Sequence, residues 1–177
     1  MEIENFSLKK VKLREDKGLQ VTYTEKITTG GNIHWLEKTM TSTIQRHPNI
    51  DKVADRLRIH VARMYALLGV GLYKAETEFT GKEKKIFDQL IEEVEVVGVT
   101  LSGYDDTAGA IVSAKRKVLD DQVVVMNTPN IQFEAPGYEF GFDLKETIEE
   151  LTEEIFEYIF HRKFAQLELF EEEDQAA

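Results

Sequence analysis

Residues 6–14 read FSLKKVKLR, residues 15–18 EDKG, and residues 19–27 LQVTYTEKI. Apolar and polar residues alternate on both sides of the central four, which is the two-residue period of a half-buried strand. Glu15, Asp16, Lys17 and Gly18 have the composition of a tight turn, so the stretch predicts an antiparallel β-hairpin. Thr29, Gly30, Gly31 and Asn32 predict a second turn, and residues 33–44 (IHWLEKTMTSTI) a third strand. The result is a three-strand meander. Of the neighbours His34 and Trp35, one should point inward, and Trp35 is expected in the core.

The period then changes. From Pro48 and Asn49 onward, Ile50, Val53, Ala54, Leu57, Val61, Met64, Tyr65 and Leu68 fall on one helical face, with Gly69 as a stop. Arg56, Arg58, His60 and Arg63 fall mainly on other faces. A second helix is expected over 81–93, with Thr80 and Glu83 at capping-box spacing and Ile86, Phe87, Leu90, Ile91 and Val94 as its stripe. Strands resume at 95–102, 109–118, 122–128 and 130–134, with turns at Gly103–Thr107 and Asp120–Asp121. A last helix begins near Asp143, which pairs with Glu146 as a cap. Leu144, Ile148, Leu151, Ile155 and Ile159 line one face of it, and glutamates line the others.

Strands, helix, then helix, three to four strands and a long C-terminal helix predict an α+β fold, with helices on one face of an antiparallel sheet. We expect one domain over residues 1–164, divisible into similar halves at 1–70 and 80–164, and an acidic tail over 165–177. The chain's 177 residues are 42% hydrophobic and 31% charged, which suffices for a real core. No apolar run approaches the roughly 20 residues that span a bilayer, and MEIENFSLKK has no apolar stretch of a signal peptide. No membrane partner is expected, and the protein is expected in the cytoplasm. Without cysteine there is no disulfide, thiolate metal site or cysteine nucleophile.

Little in the sequence points to catalysis. No phosphate-binding glycine loop and no nucleophile elbow is present; Gly69 and Gly71 follow a helix, the wrong context for a phosphate loop. His34, His47, His60 and His161 lack metal-ligand spacing, and Glu157 with His161 reads as a surface helix pair. Asp105–Asp106 and Asp120–Asp121 could act as acid/base pairs or Mg²⁺ ligands if they converged with His34 or His47, but both pairs sit where turns favour Asp. Asn127-Thr128-Pro129 likewise reads as a turn. No enzyme activity, metal or cofactor is expected.

Charge is uneven. The net charge of −11 divides into +4 over residues 1–70, −6 over 71–142 and −9 over 143–177. Lys9, Lys10, Lys12, Arg14 and Lys17 cluster in the first hairpin. Lys115, Arg116 and Lys117 sit together on a later strand. With Phe6, Tyr23 and Trp35 as stacking surfaces, these residues could bind single-stranded nucleic acid.

The tail carries Gln166-Leu167-Glu168-Leu169-Phe170. This stretch resembles the bacterial sliding-clamp-binding pentapeptide, whose pattern is Gln-Leu-x-Leu-Phe. The resemblance covers five residues. It implies that Gln166 makes polar contacts at the edge of a clamp groove, that Leu167 adds an apolar contact, and that Leu169 and Phe170 fill the deep pocket. Alternatively, Leu167, Leu169 and Phe170 fold back and cap the core. The body is similar in layout to small bacteriophage and prophage proteins, a likeness that assigns no residues.

Taken together, these features lead us to expect a non-enzymatic accessory protein of DNA replication or recombination, phage-encoded, that docks on a sliding clamp or another protein through Gln166, Leu167, Leu169 and Phe170. The alternatives are a single-stranded nucleic-acid-binding protein with an acidic regulatory tail, and an acidic decoy that presents Glu149–Glu157 to a host enzyme in place of phosphates.

Overall fold

A computed structural model describes residues 3–70, 79–118 and 122–164, with the backbone alone at 66–70 and 105. The fold is α+β. Strands β1 (Phe6–Leu13), β2 (Leu19–Thr29) and β3 (Asn32–Ser42) form the expected meander. Helices α1 (Pro48–Arg56), α2 (Arg58–Val70) and α3 (Gly81–Glu93) follow. Then come β4 (Val94–Ser102), β5 (Gly109–Lys117), β6 (Val123–Asn127), β7 (Ile131–Gln132) and α4 (Gly141–Phe160).

All strands join one antiparallel sheet in the order β3-β2-β1-β4-β5-β6, with β7 also paired to β5. β1 and β4 are the central strands, so the two halves of the chain share a single sheet. The register of that central pair is Lys10 opposite Thr100, Val11 opposite Val99 and Lys12 opposite Gly98. Gly98 permits this approach, because a Cβ there would lie 2.6 Å from the Val11 carbonyl oxygen.

One sheet face is covered by the helices. Its core comprises Leu8, Val11, Leu19, Val21, Val94, Val96, Val99, Val112 and Ala114 from the strands, packed on residues that include Ile50, Leu57, Val61, Phe87, Leu144, Leu151 and Ile155. Phe6, Tyr23, Phe156 and Phe160 form an aromatic cluster with ring centroids 5.0–5.9 Å apart. The buried Tyr158 hydroxyl donates to the Ile44 carbonyl at 2.7 Å, tying α4 to the end of β3. Thr80 and Glu83 make both bonds of the capping box on α3, each satisfying an otherwise orphaned helix-terminal N–H.

Several expectations are corrected. The first helical stretch is two helices, because the Leu57 N–H reaches the Ala54 carbonyl in a tightened turn. α2 continues through Gly69 to Val70. Asp143 does not cap α4: the helix starts at Gly141, where a Cβ would lie 2.1 Å from the Phe133 carbonyl oxygen, and its N-cap is Phe140. Ile86 is exposed; Phe87 and Leu90 alone are the buried residues of α3. Trp35 is not in the core either and is 57% exposed. Glu25 pairs with Phe6, the first residue of β1, so Lys26 to Trp35 extend past the sheet as a two-stranded arm with no β1 beside it. His34, on the arm's other face, is exposed as well.

Candidate nucleic-acid interface

No described element covers the sheet's second face, and the register shows which side chains share it. Directly paired residues lie on one face. One cross-sheet row is Thr39, Thr22, Lys10, Thr100 and Ile111; the next is Thr41, Gln20, Lys12, Gly98, Ser113 and Asn127. Side-chain bonds agree with this: the Thr22 and Thr39 hydroxyls are 3.0 Å apart, and the Ser113 hydroxyl donates to Asn127 Oδ1 at 2.7 Å.

Two bulges control which residues reach this face. Strict alternation from Leu8 would turn Lys10 into the core. A register shift between Leu8 and Lys10 prevents that and returns Val11 to the core. A second shift between Val96 and Gly98 lets Val96 and Val99 both bury. The open face therefore gathers Lys9, Lys10 and Lys12 from β1, Lys26 from β2, and Lys115 and Lys117 from β5. Its carboxylates are Glu37, opposite Thr24, Glu95, opposite Lys115, and Glu15 and Asp16 at the β1–β2 turn. On the helix side, α4 exposes Glu146, Glu149 and Glu153, while α3 exposes Lys82, Lys84 and Lys85.

Two exposed aromatics flank the lysines. Trp35 pairs with Lys26 on the arm. Tyr104, 74% exposed, sits below β4, where the Lys9 ammonium lies 4.8 Å from its ring centroid and 3.4 Å from its hydroxyl. Sequence reasoning named neither Tyr104 nor Lys26. Phe6 and Tyr23, named as stacking candidates, are buried in the core.

At the upper end of the face lies an open depression of about 560 Å³, lined by Lys12, Leu13, Arg14, Glu15, Asp16, Arg46, Glu95, Lys115, Val97, Val123 and Val125. It unites Lys12 and Arg14 of the first hairpin with Lys115 of β5. Some of these cations are already engaged. Arg14 binds Asp16 at 2.7 Å, and that bond, with one from the Gly18 N–H, holds the Asp16 carboxyl down at about 2. Partial burial alone would lower the Lys115 ammonium, but Glu95 and Glu15, each 3.4 Å away, more than reverse it. Arg116 stands apart from its sequence neighbours. It pairs with core-facing Val94, so it lies on the helix side, and its Nε donates to Glu93 at 2.7 Å.

Among the described residues, the remaining sequence candidates do not converge. His47 caps α1 by accepting from the Asn49 N–H, and His161 bonds Glu157 at 2.9 Å. Asp106 is exposed in a short 3-10 turn; the Asp105 side chain, Asp120 and Asp121 lie outside the described residues. Thr128 is buried, and its hydroxyl accepts from the Val112 N–H. Among the described residues no group of three or more His, Asp or Glu could hold a metal ion, and no helix is long and apolar enough to cross a membrane. Gln166, Leu167, Leu169 and Phe170 lie outside the described residues.

A second polar cluster was missed by sequence reasoning, which put His60 and Arg63 off the apolar face. Both are buried. His60 Nδ1 lies 2.8 Å from the Tyr138 hydroxyl, while Nε2 is 3.4 Å from an Asp143 oxygen without hydrogen-bond alignment. Arg63 stacks on Phe140 with its guanidinium carbon 3.5 Å from the ring centroid. Burial, and secondarily Arg63, push His60 down to about 4, with Asp143 opposing, so the imidazole is neutral at pH 7. This pair joins α2 to the segment before α4 and works as a structural tie.

No protein family, curated protein or solved structure matches this chain.

Proposed function

We propose that this protein is a non-enzymatic accessory factor of DNA replication or recombination, phage-encoded, which holds a single nucleic-acid strand on its open sheet face and docks on a sliding clamp through Gln166, Leu167, Leu169 and Phe170. The observation that carries the first half is the clustering of Lys9, Lys10, Lys12, Lys26, Lys115 and Lys117 on one uncovered face, flanked by exposed Trp35 and Tyr104. A lysine field attracts the phosphate backbone, and exposed rings stack on unpaired bases. From Trp35 to Lys117 the face runs about 40 Å, counted from strand rise and spacing. That is room for a strand of roughly six nucleotides, within the range of known single-strand sites. The carboxylates of α4 repel nucleic acid from the opposite side.

Trp35 is the chain's one tryptophan, so its emission reports directly on stacking. Titration with a 12-nucleotide oligothymidylate at low salt is expected to quench it. The logarithm of affinity should fall with the logarithm of salt concentration with a slope of about −3, as for about four neutralised phosphates. Lys10→Glu with Lys12→Glu should weaken binding about 100-fold. No quenching and no binding at low salt would dispose of this half of the reading.

The tail half is supported by the full match of Gln166, Leu167, Leu169 and Phe170 to the clamp-binding pattern. Surface plasmon resonance against a bacterial sliding clamp should give binding with the full chain and none with a chain ending at Ala165. Equal binding by both would remove the clamp from the reading.

A further inference from the structure

We infer that the depression at the upper end of the sheet is a docking site for the chain's own C-terminal tail, so that the free protein covers part of its nucleic-acid face until a partner takes the tail away. The inference rests on the function proposed above, and its test separates the two.

Three observations point to this occupant. First, the described chain ends beside the depression. Phe164 forms a β-bridge with Arg46, its ring centroid is 5.0 Å from that of Tyr158, and Arg46 lines the depression. Thirteen residues follow, enough to extend up to about 45 Å. Second, the depression has an apolar wall with no described residue over it. Val123 and Val125 are 54% and 67% exposed on β6, an edge strand whose outer side has no neighbour among the described residues. Such an edge invites a further extended segment. Third, the chemistry is complementary in kind. Leu167, Leu169 and Phe170 offer apolar side chains to Val97, Val123 and Val125. Glu171, Glu172, Glu173 and Asp174 offer carboxylates to Lys12 in the depression and to Lys10 beside it on β1.

The apolar anchors used here are those of the clamp motif. Capture of the tail by a clamp would therefore release the lysine face, and partner binding would favour strand binding.

The full chain has no cysteine, so a single introduced thiol is unique. A nitroxide on Gln175→Cys should attenuate the amide resonances of Val97, Lys115, Val123 and Val125 in a ¹⁵N spectrum, and 0.5 M salt should relieve the effect. Attenuation confined to the neighbourhood of Phe164 would overturn the inference. So would attenuation arising only when labelled and ¹⁵N chains are different molecules, which would assign the depression to a second copy's tail. A chain with Glu171→Gln, Glu172→Gln, Glu173→Gln and Asp174→Asn should lose the attenuation and bind oligothymidylate about tenfold more tightly. If attenuation persists in the parent chain while neither chain binds oligothymidylate, tail docking stands and the nucleic-acid function falls. If both chains bind equally and attenuation is absent, the reverse holds.

Discussion

Replacement of Arg46 by methionine is expected to cost the fold about 3 kcal/mol, as for two hydrogen bonds from a charged donor at about 1.5 kcal/mol each. Arg46 is 6% exposed. Its guanidinium donates to the Arg14 carbonyl at 2.9 Å, to the Gly18 carbonyl at 3.1 Å, and to Asp51 at 2.6 and 2.8 Å. Its backbone N–H donates to the Lys17 carbonyl at 2.9 Å, and its backbone bridges to Phe164. One residue thus joins the β1–β2 turn, the first turn of α1 and the segment after α4. Methionine keeps the apolar stem but takes one of two donors from each carbonyl: the Arg14 oxygen keeps the Lys17 N–H and the Gly18 oxygen the Arg14 N–H. The two lost charge-assisted bonds, more than the half-exposed Asp51, set the size of the loss. Arg46→Lys should recover only part of it, because a single ammonium lacks the planar fork that reaches Asp51 and both carbonyls together. Urea unfolding of the parent and the two variants measures these differences. A loss below about 1 kcal/mol in the methionine variant would mean that the backbone donors already present satisfy both carbonyls.

The same residue illustrates what the sequence could and could not disclose. The β1–β2 hairpin, the α3 capping box and the α4 stripe were legible because each is encoded within about twenty residues of chain. Arg46 looked like a stray cation after the third strand. Its three partners are 28 to 32 residues upstream or five downstream, and nothing local announces them. The pairing of β1 with β4 is equally non-local, since the sequence offers two meanders but no statement of which edges meet. Trp35 was misplaced for a related reason. Alternation assigns a face within a strand, but not whether a neighbouring strand extends far enough to cover it.

The candidate face was half legible. Lysine clusters on β1 and β5 stood out by composition, yet the bulge that keeps Lys10 off the core leaves no mark in the residues themselves. Arg116 is the opposite case. Strand alternation alone separates it from Lys115 and Lys117, so grouping the three by adjacency was avoidable. Tyr104 entered the site from a loop that sequence reading treated only as a turn.

His60 is expected to make the fold sensitive to acid by about 3 kcal/mol between pH 7 and pH 4. The side chain is fully buried. Burial foremost, then the charge of Arg63, lowers it to about 4 against an ordinary value of 6.5, while Asp143 pulls the other way. Between those two pH values the unfolded chain holds a proton on this imidazole that the folded chain does not. Acid therefore favours the unfolded chain: the contribution is complete above pH 6.5 and is lost as pH falls toward 4. The gap of about 2.5 pH units, at 1.36 kcal/mol per unit, gives the magnitude. His60→Gln keeps a side-chain partner within reach of the Tyr138 hydroxyl and removes the titration. Unfolding free energies for the parent and this variant, measured by urea at pH 4, 5, 6 and 7, isolate the effect, because carboxylate titrations common to both chains cancel. The difference, parent minus variant, should climb by about 3 kcal/mol across the series. Parallel curves would mean that His60 titrates alike in the folded and unfolded chains, the Asp143 carboxylate cancelling the effect of its burial.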